Sequence, residues 1–133
     1  IYSITATEKL RTIYARIFSA FGEGQFENNF WPMMKKASQQ GINFKMTPGN
    51  QIRDFIHVDD VAIQLNNLLS FKSITKGEIK LVNIGSGKPQ TLREFSDFWW
   101  RQWNSKGKLE YGAFPYRENE IMRFAPKIED ELL

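Results

Sequence analysis

No cysteine occurs in the 133 residues, and there is a single histidine, His57. The first absence excludes disulfides and thiolate metal sites. The second leaves too few imidazoles to build a histidine metal centre, so no metal is expected. No apolar run approaches the roughly 20 residues of a membrane-spanning helix, and no signal-peptide pattern opens the chain. A cytoplasmic protein with no membrane partner is the expectation. Charge of one sign is also scarce. Lys and Arg number 18 against 15 Asp and Glu, a net charge of +3. The basic residues are scattered (Lys35, Lys36, Lys45, Lys72, Lys76, Lys80, Lys106, Lys108). With no block of about five or more like charges, nucleic acid is not an expected partner, and an anionic small molecule fits better.

Several chemical signatures are missing too. Two glycine-rich pieces, FGEGQF with Gly22 and Gly24 and IGSGKPQ with Gly85 and Gly87, fall short of G-x-G-x-x-G and of the P-loop pattern. Both read as strand-to-loop turns. A Tyr-x-x-x-Lys proton relay is absent: Tyr2, Tyr14, Tyr111 and Tyr116 are followed four residues later by Ala6, Phe18, Pro115 and Glu120. His57 has no serine partner nearby and reads as a partly buried structural histidine. No catalytic residue is therefore expected within this chain.

What is present is an ordinary globular composition, 41% hydrophobic and 25% charged, with 11 Phe, 4 Trp and 4 Tyr. Such aromatic richness leaves room for an aromatic surface that meets a ligand. RTIYARIFSAFGEGQ reads as a strand apolar on both faces, as in a parallel sheet. Asn28 or Asn29 can cap a helix with Pro32 in its first turn and Gly41 at its stop. INFKMT alternates as a half-exposed strand before the turn Pro48-Gly49. QIRDFIHV reads as one further strand, with Asp59 or Asp60 capping the helix that follows. GEIKLVNIGSG is another strand, and Thr91 with Glu94 forms a capping box before a stripe of Leu92, Phe95, Trp99 and Trp103. Strands alternating with helices give an α/β fold.

Arg53 and Arg117 carry the chemistry of interest. A guanidinium offers a planar fork of donors that matches phosphate oxygens and stays charged at any working pH. Two converging from distant segments would clamp a diphosphate. The alternative is local pairing, Arg53 with Asp54 and Arg117 with Glu118 or Glu120.

The ordered set ARIFSAFGEGQ, NNFWPMM, GNQIRDFIHVDDVA, VNIGSGKPQTLREF and PYRENEIM resembles the C-terminal half of the extended short-chain dehydrogenase/reductase family, the NAD(P)-dependent nucleotide-sugar epimerases, dehydratases and reductases. The resemblance implies the end of a Rossmann-type parallel sheet (residues 1–25) followed by a small α/β substrate domain (26–133), an excerpt truncated at both ends. It implies that Phe18 packs near the nicotinamide of NAD or NADP, and that Ser19, where Asn is common, faces the sugar or phosphate. Asn29 would reach the diphosphate, Phe44 and Met46 would flank the base, Arg53 and Arg117 would bind the diphosphate, and Glu120 would lie near the ribose. Phe21 and Glu23 stand where the family usually has Tyr and Pro. The implied partner is a nucleotide-diphosphate sugar, of the cytidine or thymidine deoxysugar branch of surface-polysaccharide synthesis, in a homodimeric parent. The chain alone would be inactive and would self-associate through an open sheet edge. The competing readings are a non-catalytic module for single-stranded nucleic acid and a truncation product without function.

Overall fold

The computed structural model describes residues 2–70 and 74–128; Lys72, among the scattered cations, lies outside them. Its elements run α1 (Tyr2–Thr7), β1 (Thr12–Ile17), β2 (Ala20–Phe21), α2 (Phe30–Gln40), β3 (Phe44–Lys45), β4 (Ile52–Arg53), β5 (Ile56–His57), α3 (Val58–Leu69), β6 (Ile79–Ile84), β7 (Gln90–Thr91), α4 (Leu92–Gln102), β8 (Leu109–Glu110) and β9 (Arg123–Phe124). The α/β expectation holds. β1 and β6 pair in parallel over their whole length, from Thr12 opposite Ile79 to Ile17 opposite Ile84. Parallel pairing requires a crossover, and α3 supplies part of it. No helix among the described residues is long and apolar enough to cross a membrane.

Two apolar cores result. Ile56, Val61, Leu68, Val82 and Ile84, flanked by Ile13 and Ala15, fill the space between α3 and the β1–β6 pair. Phe21, Trp31, Met34, Ala37, Phe95 and Trp100 fill the space between α2 and α4. Neither core comes from one stretch of sequence. β1 departs from the expectation of cover on both faces: Ala15 is half-buried but Tyr14 is 48% exposed. Ile13 and Ala15 pack against the core under α3, while Tyr14 and Ile17 stay about half exposed.

The expected QIRDFIHV strand is two strands. β4 pairs with β7 and β9, whereas β5 pairs with β2. The break falls at Asp54, which is fully buried. Its Oδ1 accepts from the backbone N–H of Ser86 (2.7 Å) and from the Ser86 hydroxyl (2.5 Å), and its Oδ2 accepts from the N–H of Gly87 (3.0 Å). The chain cannot stay in one ladder while delivering this carboxyl group to the turn after β6. Gly85 must be glycine for the same reason, since a Cβ there would lie 2.7 Å from Asp54 Oδ2.

The helix starts differ in part from expectation. Thr91 and Glu94 form the complete capping box, and Gly41 ends α2 in the left-handed region at φ 68°. The cap of α3 is His57, whose Nδ1 accepts from the N–H of Asp59 at 3.3 Å. Asp59 and Asp60 sit in the first turn instead, where negative charge favours the helix dipole. Asn29 holds the cap position of α2 without a side-chain cap bond. On α4 the fully buried side is Phe95, Ser96 and Trp100, while Leu92, Trp99 and Trp103 are half-buried at its margin.

Removing the Asp54 carboxylate takes a buried acceptor from three donors at once, two on half-buried Ser86 and one on Gly87. Asp54→Ala is expected to cost about 3 kcal/mol or more, read as a lower urea midpoint; Gly85→Ala should destabilise through the same contact. An unchanged midpoint in both would contradict the assigned role of Asp54.

Candidate functional site

A cleft of about 570 Å³ opens beside β3, bordered by Phe44, Met46, Phe114, Arg117 and Glu120. Its floor follows from the pairing of β3. The N–H of Phe44 donates to Lys108 O (2.9 Å), that of Met46 to Glu110 O (3.0 Å), and that of Phe114 to Met46 O (3.3 Å). These bonds lace the segment that follows β8 along β3, so the loop 112–120 folds back over the cleft. The Tyr116 hydroxyl accepts from the N–H of Asn50 (3.1 Å), tying that loop to the Pro48-Gly49 turn. Gly49 takes φ 80°, as the turn requires. The Phe30 ring meets Phe44 edge-on at 5.5 Å and closes one end.

Phe30 also borders a second cleft, of about 210 Å³, with Ser19, Phe21, Gln25, Asn29, Trp31, Phe55 and Phe95. Phe55 stacks on Phe95 at 3.9 Å, and Phe21 meets Phe95 edge-on at 4.9 Å. Four phenylalanines thus wall this cleft, and polar groups stand at its margin.

The candidate residues taken from the sequence therefore gather in two adjoining places. Phe44, Met46, Arg117 and Glu120 border the larger cleft, and Ser19 and Asn29 the smaller. Arg53 behaves differently. It does not line the larger cleft: its Nη2 donates to Glu120 Oε1 at 2.9 Å, and its Nη1 donates to its neighbour's carbonyl, Ile52 O, at 2.9 Å. Both partners of this ion pair are about one-fifth exposed. Neither local alternative for Arg53 and Arg117 holds, because Asp54 is committed to the glycine turn and Glu120 to Arg53. Arg117 is exposed and makes no ion pair among the described residues. Phe18 packs on Phe124 at 5.0 Å, and Phe124 lies opposite Arg53 in the β4–β9 register.

Gln25, Phe30, Trp31, Phe55, Phe95 and Phe114 escaped the sequence reading as site residues. The adjacency of Phe30 and Trp31 to Asn29 was the available signal. Gln25 carried none, since a polar residue after a glycine turn looks like surface. A further cleft of about 420 Å³ runs along α3, lined by Asp60, Gln64, Asn67 and Lys88 among others, and holds none of the candidate residues. Near the Pro48-Gly49 turn, Arg93 donates to Pro48 O (3.0 Å) and lies 3.8 Å over the Tyr111 ring. Burial, with the hydrogen bond from the Tyr111 hydroxyl to Asp97 (2.6 Å), raises that phenol well above its ordinary range. This cluster braces the turn.

Because Arg53 and Glu120 are held together away from bulk water, a double-mutant cycle with Arg53→Ala and Glu120→Ala is expected to give a coupling of about 1–2 kcal/mol. Additive effects in denaturant titrations would contradict the pair.

The chain is 31% identical over 110 residues to CDP-abequose synthase of Salmonella typhimurium, which covers 80% of this chain and 36% of that protein. It is 26% identical over 119 residues to dTDP-6-deoxy-L-talose 4-dehydrogenase (NAD(+)) of Aggregatibacter actinomycetemcomitans, covering 89% of this chain and 42% of that one. Among solved structures, UDP-N-acetylglucosamine 4-epimerase of Methanobrevibacter ruminantium, in complex with UDP-N-acetylmuramic acid, superposes with a TM-score of 0.78 at 25% identity, over 96% of this chain and 41% of that one. An epimerase of Methanothermobacter thermautotrophicus gives a TM-score of 0.79 at 19% identity, over 98% and 39%; this likeness speaks for the fold. The chain thus spans about two-fifths of the length of these relatives. The match to the family itself extends over residues 1–85, and the chain belongs to the NAD dependent epimerase/dehydratase family.

Proposed function

We propose that the two adjoining clefts hold a nucleotide-diphosphate sugar, with the nucleoside diphosphate in the larger and the sugar in the smaller. The single observation that carries this reading is the gathering of Ser19, Asn29, Phe44, Met46, Arg117 and Glu120, from four separated segments, around two cavities that share Phe30. Apolar Phe44 and Met46 suit the flat face of a base. Arg117, unpaired and exposed, suits a phosphate. Glu120 accepts hydrogen bonds and suits ribose hydroxyls. Arg53 contributes by orienting Glu120, or by turning its fork to the phosphates when the ligand's charge competes for it.

In this reading the chain supplies substrate binding to an NAD(P)-dependent epimerase, dehydratase or reductase acting on a nucleotide sugar, with deoxysugar synthesis as the favoured setting. Binding the diphosphate far from the reacting carbon uses remote contacts to fix the sugar's position. The dinucleotide, when bound, exchanges hydride with the sugar. Of this chain's residues only Phe18 suits it: a half-buried ring, braced by Phe124 and next to Ser19, offers an apolar surface to a flat nicotinamide. The sequence has no complete glycine fingerprint and no Tyr-x-x-x-Lys pair, so the chain on its own is expected to bind sugar nucleotide without turning it over.

Arg117→Ala and Arg53→Ala are each expected to weaken binding of dTDP or CDP by about 2–5 kcal/mol, measured by calorimetry. Unchanged affinity in both would overturn the diphosphate assignment. Nicotinamide absorbance that changes when the purified chain meets dTDP-glucose and NAD would overturn the expectation of inactivity.

A further inference from the structure

The loop that carries Arg117 is exposed, yet it is tied down at its middle. From Gly112 to Asn119 every residue is exposed except Tyr116, which is half-buried. Gly112 stands at φ 76° with no atom within 4 Å of where a Cβ would lie, so the chain turns there without obstruction. Beyond it, the Phe114 N–H donates to Met46 O at 3.3 Å. The Asn50 N–H donates to the Tyr116 hydroxyl at 3.1 Å, and Arg53 Nη2 donates to Glu120 Oε1 at 2.9 Å. The first tie is main chain, and the last marks where the loop ends. Tyr116 fastens the stretch between them, and it does so through one side-chain oxygen.

Tyr116 does not border the larger cleft, but Pro115 before it and Arg117 after it do. Its hydroxyl meets the Pro48-Gly49 turn instead, and that turn is a firm anchor. The Arg93 N–H donates to Gly49 O at 2.9 Å and its Nη2 donates to Pro48 O at 3.0 Å, and Arg93 belongs to α4. On the other side of Arg117, the Glu120 N–H donates to Arg117 O at 3.1 Å. This closes a turn whose far end the Arg53 pair holds. The backbone of Arg117 is thus carried between two supports, while its guanidinium makes no ion pair among the described residues. A cation left unpaired on a backbone held from both sides is prepared for an anion that arrives from outside.

We propose that Tyr116 is a positioning residue for Arg117: its hydroxyl clasps the loop to the Pro48-Gly49 turn and so presets where the guanidinium stands before a diphosphate arrives. The proposal rests on the diphosphate reading of the larger cleft. An unfastened loop has to be ordered as the ligand binds, and that ordering lowers the affinity. The coupling is reciprocal, so a bound diphosphate holds the clasp shut.

The test separates the clasp from the diphosphate site. The full chain is titrated by NMR with dTDP and with thymidine, which has the base and deoxyribose but no phosphate. Tyr116→Phe keeps the ring and removes the acceptor. It is expected to lower dTDP affinity about fivefold and to leave thymidine affinity unchanged. In an Arg117→Ala background the same change is expected to have no further effect on dTDP, because the tyrosine acts through the arginine. The wild-type chain gives a second test that needs no variant: the Asn50 N–H is expected to exchange with solvent more slowly once dTDP is bound. Three results would overturn the clasp while dTDP binding by the wild type upheld the nucleotide reading. They are equal dTDP affinity in Tyr116→Phe and wild type, a loss that persists undiminished in the Arg117→Ala background or extends to thymidine, and an Asn50 exchange rate that dTDP leaves unchanged. A wild-type chain that does not bind dTDP would overturn both.

Discussion

Everything that positions the clefts depends on one buried carboxylate. Asp54 gathers the N–H groups of Ser86 and Gly87 and the Ser86 hydroxyl, and so bolts the turn after β6 to the junction of β4 and β5. On its one side β5 runs beside β2 and leads into α3, closing the core under β1 and β6. On its other side β4 runs between β7 and β9 and carries Arg53 toward Glu120. Charge-assisted hydrogen bonds of this kind are about twice as strong as neutral ones. Three of them compensate for taking a carboxylate wholly out of water.

The second constraint is aromatic. Phe21 touches Trp31, His57, Phe95 and Trp99 at ring distances of 4.9 to 5.8 Å. That cluster ties β2 to α2 and α4 while forming the back wall of the smaller cleft. Core and site are therefore the same residues seen from two sides. Large, rigid rings provide contact area at little entropic cost, which explains how so short a chain keeps an indented surface next to its core.

Much of this was legible in the sequence, and for local reasons. The capping box at Thr91 and Glu94, the Pro48-Gly49 turn and the Gly41 stop are each fixed by a few adjacent residues. The ordered motifs that resemble the nucleotide-sugar enzymes located Phe44, Met46, Arg117 and Glu120, which do share a cleft. What stayed hidden depends on contacts between distant residues. Asp54 looked like a neighbour for Arg53, but Ser86 and Gly87, more than thirty positions away, claim it and split the strand. His57 took the cap because its ring reaches forward to accept from the N–H of Asp59, a geometry that propensity does not reveal. β1 reads as a strand covered on both faces, whereas Tyr14 and Ile17 are left about half exposed.

The account makes the paired clefts one binding surface for a sugar linked to a nucleoside diphosphate. Its most direct test is a crystal structure of the chain grown with dTDP-glucose. The account predicts the base against Phe44 and Met46, the phosphates beside Arg117, and the sugar within the phenylalanine-walled cleft near Ser19 and Asn29. Ligand bound instead along α3 beside Asp60 and Lys88, or a diphosphate lying away from Arg117, would contradict it.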